Sequence, residues 1–343
     1  RFHRVPPQVL ALCPPIPDED CDRQRLLLRQ DLLVNRVLGF PLHTLAFCKN
    51  SITRGALLER HLWSGRLPPE AIWETDHGVQ VASPLFTLLT LAPYVSETQL
   101  LMMAYEMCGT FAVFRPSDLI EKLLKDAYAS HQLPGDFGWK RSANQKGEAT
   151  DLWQRPPLIQ IDDLLDYAES NRSRRGGKKL LNAARQVRGV TASPFEVQAS
   201  MLFGLSRRLG GEGLLHFENN YEIALDQKAK KIVNKDKVYA DLHFVSAEGD
   251  RSVIVECQGA TEHGKVDAGI RDADRATALQ SMGYDVILLT YEKMSDKDSF
   301  RTVAEMLADK LGYPYRPKTD AMKAREDELR RELLIDWATL GEF

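Results

Sequence analysis

VYADLHFVSAEGDRSVIVECQG, residues 238–259, holds the pattern on which the fold turns. Two runs rich in Val, Ile, Phe and Tyr flank a polar Ser-Ala-Glu-Gly-Asp-Arg stretch, which predicts two strands joined by a turn. Period-two alternation puts Tyr239, Asp241 and His243 on one face of the first strand. On the second it sets Ile254, Glu256 and Gln258 against Val253, Val255 and Cys257. Carboxylates from adjacent strands can therefore converge at one point. A Glu inside Val-Ile-Val-Glu-Cys demands a partner, because an unpaired buried charge is strongly disfavoured. One such partner is a hard cation. One or two carboxylates, with water and phosphate completing the shell, suit Mg²⁺, and Mg²⁺ suits phosphodiester hydrolysis. The alternative is that Asp241 and Glu256 are edge-strand residues that face solvent or pair with Arg271 or Lys265.

Working outward, SPFEVQASMLFGLSRRLG (193–210) predicts a helix opened by Ser-Pro, and HFENNYEIAL (216–225) a strand with partial alternation. FENNYEIAL and QKAKKIVNKDK together predict a hairpin carrying Lys228, Lys230, Lys231, Lys235 and Lys237. Downstream, HGKVDAGIRDADRATALQSMG (263–283) predicts a helix stopped by Gly283. DVILLTY (285–291) then predicts a strand buried on both faces, and a further helix runs from Asp296 to Lys310. The order α-β-β-β-α-β predicts an α/β domain whose mixed sheet is flanked by helices.

The chain has 343 residues, 43% hydrophobic and 27% charged, the composition of a globular protein of about two domains at roughly 150 residues each. Its 45 Lys plus Arg and 48 Asp plus Glu leave a net charge of -3, which argues against a generally basic nucleic-acid binder. That average conceals two basic stretches. NRSRRGGKKLLNAARQVR (171–188) has seven basic residues and no acidic one, and the lysines of 228–237 form a second cluster. Such a run is either a solvated helix face or a phosphate-contacting segment. Cys13, Cys21, Cys48, Cys108 and Cys257 form no CxxC, so neither a disulfide framework nor a cysteine zinc site is indicated. No apolar run reaches the roughly 18 residues of a membrane span, and the opening RFHRVPPQVLALCPPIPDEDC is too short in apolar residues for a signal peptide. A cytoplasmic protein that does not enter membranes is expected.

Toward the N-terminal side, Leu26, Leu27, Leu33, Val34, Val37 and Leu38 recur at helical spacing and predict an amphipathic helix from Arg23 to Leu38. Ser83-Pro84 and Ser96 open two further helices, and another lies between Ser117 and Ala129. His131 to Pro157 lacks periodicity and reads as a connector. The domains expected are 1–130, mainly α or α+β; 131–188, linker and basic helical segment; 189–316, the α/β domain; and 317–343, a helix with Leu329, Leu333, Leu334, Trp337 and Leu340 along one side.

Asp241 followed by Glu256-Cys257-Gln258 resembles the metal-binding core of the PD-(D/E)XK nuclease superfamily, with Gln258 where the usual lysine would stand. SPFEVQASMLFGL, YADLHFV, VIVECQG and IRDADRATALQSMGYDVILLT together resemble its very-short-patch-repair-like branch over about 130 residues. The resemblance implies a restriction-endonuclease-like domain binding Mg²⁺ (or Mn²⁺) through Asp241, Glu256 and the backbone carbonyl of Cys257. It implies a site of Glu196, Asp241, Glu256 and Gln258, with Asp272 and Arg275 in support. His243 or Lys265 would stand in for the missing lysine. Arg172, Arg174, Arg175, Lys178, Lys179, Arg271 and Arg275 would contact DNA phosphates. Upstream, SGRLPPEAIWETDHGVQVASPLFTLLTLAPYVSETQLLMMAYE is similar to the middle region of AbiEi-type antitoxins or regulators. The winged helix-turn-helix usual at the start of such proteins has no counterpart before Phe47, so its DNA-reading role is not carried over. The expected activity is Mg²⁺-dependent DNA endonuclease. The alternative is a catalytically inactive DNA-binding regulator, or an antitoxin-like component acting with a toxin or defence-system partner protein.

Overall fold

The structure is a computed structural model that describes residues 1–16, 28–51, 55–133, 138–144, 146–258 and 266–341, with side-chain surroundings left out over 266–273. The chain forms two compact units, Arg1–Thr90 with Val113–Lys140, and Leu91–Ala112 with Arg141–Phe343. Among the described residues no helix is long and apolar enough to cross a membrane.

The first unit holds a short helix α1 (Pro7–Leu10), a parallel strand pair β1 (Leu42–Ala46) and β2 (Leu58–Leu62), a hairpin β3 (Ile72–Glu74) and β4 (Gln80–Ala82), and most of helix α2 (Pro84–Leu91). Helix α3 (Glu97–Cys108) belongs to the second unit, and α4 (Asp118–Ala129) returns to the first. The core of the first unit gathers Val9, Leu33, Val34, Phe86, Leu88, Ile120 and Leu124, all fully buried or nearly so. Each such side chain contributes about 1.5–3 kcal/mol of transfer free energy. Of the helix expected over Arg23–Leu38, residues up to 27 lie outside the description. Leu33–Leu38 is a wide helical turn fixed at its start by Val34 N–H donating to Asp31 Oδ1 at 2.9 Å.

The second unit opens on α3, where Ser96 and Gln99 form a reciprocal capping box. Strands β5 (Phe111–Val113), β6 (Lys140–Ala143) and β7 (Ala149–Gln154) make a three-stranded sheet in the order β5-β7-β6. Strands β6 and β7 thus lie within His131–Pro157, read from sequence as a connector, and helices α5 (Ile161–Ser170) and α6 (Gly177–Ala184) follow, α6 within the basic run. Their turn is packed rather than loose. Gly176 has φ +83°, and a Cβ there would meet Pro93 at 2.8 Å, so the Arg-Arg-Gly-Gly-Lys-Lys sequence makes a tight helical turn that only glycine can occupy.

The remaining elements are α7 (Pro194–Gly204), β8 (Phe217–Ala224), α8 (Gln227–Val233), β9 (Lys237–Val245), β10 (Ser252–Gln258), α9 (Val266–Ser281), β11 (Asp285–Thr290), α10 (Tyr291–Ser295), α11 (Lys297–Lys310) and α12 (Asp320–Leu333). The four strands form one mixed sheet, ordered β11-β10-β9-β8. β9 is antiparallel to both neighbours, while β10 and β11 are parallel. Phe203 of α7 packs against Phe244 and Phe300 on one face, with centroids at 5.6 and 4.6 Å. Ile254, on the opposite face, is buried with Ala278 and Leu279 of α9. The chain is thus mixed α/β, as its alternation predicts.

Two expectations change. Residues after Asp226 form helix α8 instead of a hairpin arm, because Asp226 Oδ1 accepts from the N–H groups of Lys228 and Ala229 and Asn234 closes the helix in the left-handed conformation. And β11 is not buried on both faces: it is an edge strand of the sheet, with Leu288 39% exposed.

Helix α12 lies on the second unit, burying Leu329 and Leu333, with Trp337 just beyond it donating from Nε1 to Glu106 Oε2 at 2.9 Å. Its base is a buried charge network. Lys318 Nζ reaches Glu212 at 2.7 Å and Glu326 at 2.9 Å, and Arg330 Nε reaches Glu326 at 3.0 Å. Burial pushes the Glu326 carboxyl up, but Lys318 and Arg330 outweigh it and hold its pKa below the ordinary 4.5. A depressed folded-state pKa stabilises at pH above the unfolded value, and the contribution disappears as pH falls through the folded one. The thermal midpoint of the wild type should therefore fall more steeply than that of Glu326→Gln as pH drops below about 4.5. Circular-dichroism melts of the two proteins between neutral and strongly acid pH measure the difference; parallel curves would refute it.

Candidate functional site

The β9–β10 ladder runs from Ser252 opposite Val245 to Val255 opposite Leu242, so the next position in register brings Glu256 beside Asp241. There a side chain replaces the ladder partner. Cys257 N–H donates to Asp241 Oδ2 at 2.7 Å. Asp241 is half-buried and Glu256 is buried. The two carboxylates that alternation places on one face are thus neighbours, as the strand pattern implies.

Glu256 forms an ion pair with Arg275, which reaches it from α9 and keeps 29% of its side chain exposed. The partner is basic, as one reading of the sequence allows, but it is Arg275 and not a residue named there for that pairing. This residue, read from sequence as a support of the acid site and a phosphate contact, balances a buried carboxylate. Nothing in the spacing of the helix alone identifies that pairing, because it depends on how α9 crosses the sheet.

Glu196 engages its carboxylate locally. Oε1 accepts from Ser193 Oγ at 2.9 Å and Oε2 from Ala192 N–H at 2.7 Å, while Glu196 N–H donates to Ser193 Oγ at 3.3 Å. The Ser193 hydroxyl thus caps α7, and its signal, Ser-Pro at 193–194, is present in the sequence. Both Glu196 oxygens are engaged by the residues that lead into α7.

His243 shares the face of Asp241 but is held as part of the packing. Its ring stacks on Tyr221 at 4.2 Å and 21°, meets Tyr284 edge-on at 6.2 Å, and its Nε2 lies 2.8 Å from Ser252 Oγ. Burial pushes the His243 pKa down, so the ring is neutral near pH 7. A neutral imidazole cannot supply the positive charge of a lysine. Gln258 is half-buried at the end of β10, in register with Thr290, whose hydroxyl caps α10. Lys265 lies outside the described residues, as do the side chains of Arg271 and Asp272.

The basic segment is partly committed to its own unit. Arg172 and Arg185 both pair with Glu169, at 3.2 and 3.3 Å. Arg175 lies over the Tyr94 ring at 5.2 Å, and Lys179 donates to the Val95 carbonyl. Lys178 is exposed and Arg174 half-buried. Because Arg172 and Arg175 are also largely exposed, both could exchange these surface contacts for a phosphate at small cost. Near the sheet, Lys230 pairs with Asp236 at 2.8 Å and Lys237 with Glu222 at 2.6 Å, which leaves those lysines balanced by acids.

As a donor set, Asp241 and Glu256 offer hard carboxylate oxygens suited to Mg²⁺ or Mn²⁺. The buried charge of Glu256 gives an incoming cation something to neutralise, and Arg275 is its competitor. No family model, no curated protein and no solved structure matches the chain.

Proposed function

We propose that the second unit is a restriction-endonuclease-like, PD-(D/E)XK-type domain that hydrolyses DNA phosphodiester bonds with Mg²⁺ or Mn²⁺. One observation carries this reading: Asp241 and Glu256 stand side by side where β9 and β10 stop pairing, within an α-β-α-β-β-α-β order of elements. Asp241 and Glu256 would hold the ion, with the Cys257 carbonyl as a third ligand. When bound, the ion supplies electrophilic charge to a scissile phosphate.

The chain's own groups divide the remaining work. Asp241, fixed by the Cys257 N–H, presents its other oxygen in a set direction. Gln258 orients water or a phosphate oxygen through an amide that both donates and accepts. Arg275 balances Glu256 without the ion, and its partial exposure gives the guanidinium a route to solvent when a cation takes its place. Arg172, Arg174, Arg175, Lys178 and Lys179 attract the DNA backbone, and Lys265 and Arg271 add positive charge. Such a protein would meet its DNA in the cytoplasm.

The Glu256–Arg275 pair, together with glutamine at 258, favours a second reading: a DNA-binding regulator or antitoxin-like component that keeps the fold without cleaving, acting with a toxin or defence-system partner. Purified protein incubated with supercoiled, linear, mismatched and single-stranded DNA decides between them. Cleavage in Mg²⁺ or Mn²⁺ that stops in EDTA is expected. If none of these DNAs is cut, but binding weakens steeply with salt and is the same in EDTA, the second reading replaces the first.

A further inference from the structure

A separate set of ligand-type side chains lies in the first unit, on the parallel pair β1–β2. The register sets His43 beside Glu59 and Leu45 beside His61, so period-two alternation puts His43, Glu59 and His61 on one face. His43 Nδ1 lies 2.8 Å from His61 Nε2, with the rings stacked at 5.1 Å and 15°. One ligand atom from each of the three residues lies within 4.8 Å of the others. His43 is exposed and the other two half-buried, so an ion can reach them.

The setting makes this trio unusual. A two-stranded parallel pair is among the weakest sheet units, and apolar or β-branched cross-strand pairs ordinarily strengthen one. Here the face carries two imidazoles and a carboxylate. We propose that His43, Glu59 and His61 bind one Zn²⁺ ion, with the fourth position left to water, and that the ion clips β1 to β2. The donor set is two nitrogens and one oxygen, which suits zinc; Mg²⁺ and Ca²⁺ take oxygen ligands. Zinc bonds of about 2.0–2.2 Å at a tetrahedral centre separate ligand atoms by about 3.3–3.5 Å. Closing the trio around an ion thus asks the two imidazoles to part by about half an ångström. Without the ion, one imidazole N–H can donate to the other ring, which keeps the two nitrogens converged.

The site differs in chemistry from the acid pair of the second unit, and its test does not depend on that unit's activity. The full-length protein, stripped with EDTA and dialysed, is titrated calorimetrically with Zn²⁺ and followed optically with Co²⁺. One ion per chain and tetrahedral Co²⁺ absorption are expected. Removing a group that only orients a zinc ligand costs about 10–100-fold in affinity. His43→Thr and His61→Thr, which suit a strand, should each cost at least about a hundredfold, and Glu59→Gln should also weaken binding. Asp241→Asn should bind zinc as the wild type does. Zinc at a hundredfold over its Kd should shift the folding equilibrium of the wild type about a hundredfold, and that of His43→Thr far less. X-ray absorption of the zinc form should give nitrogen and oxygen neighbours at about 2.0–2.1 Å. The proposal is overturned if the two threonine variants bind zinc like the wild type, if the wild type takes up no ion, or if the spectrum reports sulfur at about 2.3 Å, which would place the ion on cysteine.

Discussion

Replacing Arg275 with methionine should destabilise the second unit by about 3 kcal/mol, the lower end of the range for breaking a buried ion pair from one side. The lower end applies because Glu256 is buried whereas Arg275 keeps 29% of its side chain in solvent. The loss comes from leaving the Glu256 charge without compensation in an apolar strand. Glu256→Gln with Arg275→Met should therefore recover much of it, since the double variant buries no charge. Urea unfolding of the wild type, both single variants and the double variant gives the coupling. An Arg275→Met protein as stable as the wild type would show that the pair has no such role.

The same variant reports on the ion. With the competing guanidinium gone, a divalent cation reaches Glu256 without having to displace it. Mg²⁺ or Mn²⁺ at about a hundredfold over its Kd should return about 2.7 kcal/mol to Arg275→Met, and less to the wild type, where the cation must first displace the arginine. Equal response of the two proteins would separate Glu256 from metal binding.

Asp241→Asn should lower DNA cleavage at least about a thousandfold while leaving the fold in place, because a metal site contributes several kcal/mol to the transition state. Asparagine is the informative choice. Its side-chain oxygen can still accept from Cys257 N–H, so the strand junction keeps its hydrogen bond and loses only the charge. Alanine would leave that N–H without its acceptor and add about 1–3 kcal/mol of instability, which would blur the result. Cleavage by a well-folded Asp241→Asn protein at near wild-type rates would exclude Asp241 from the reaction.

Much of the second unit was legible because its signals are local. Alternation in 216–225, 238–245 and 252–258 identifies three strands, and the Ser-Pro start and Gly283 bound two helices. Helix α8 was missed because five lysines masked the helical spacing of Ala229, Ile232 and Val233, although Asp226 and Asn234 are ordinary capping residues. The acid pair could be placed from period two alone. Its counter-ion could not, since Arg275 meets Glu256 only through the crossing of α9 over the sheet, a tertiary fact. His43 and His61 were invisible for the same reason: separated in sequence, they meet only when β1 and β2 pair in parallel with a given register. A search for metal sites guided by cysteine spacing passes over them.

The anchoring of α12 has a consequence for how the protein is made. Trp337 bonds Glu106 across 231 positions, Ser96 bonds Glu332 across 236, and Gln198 donates to the Leu333 carbonyl across 135. Contacts of such sequence separation form late and slow folding, because the intervening chain must be ordered before they contribute. Helix α3 therefore emerges from the ribosome long before its partners exist. At synthesis rates of about 5–20 residues per second, these C-terminal partners follow α3 by more than about ten seconds. The sheet that bears the acids can thus take shape before the unit around it is closed.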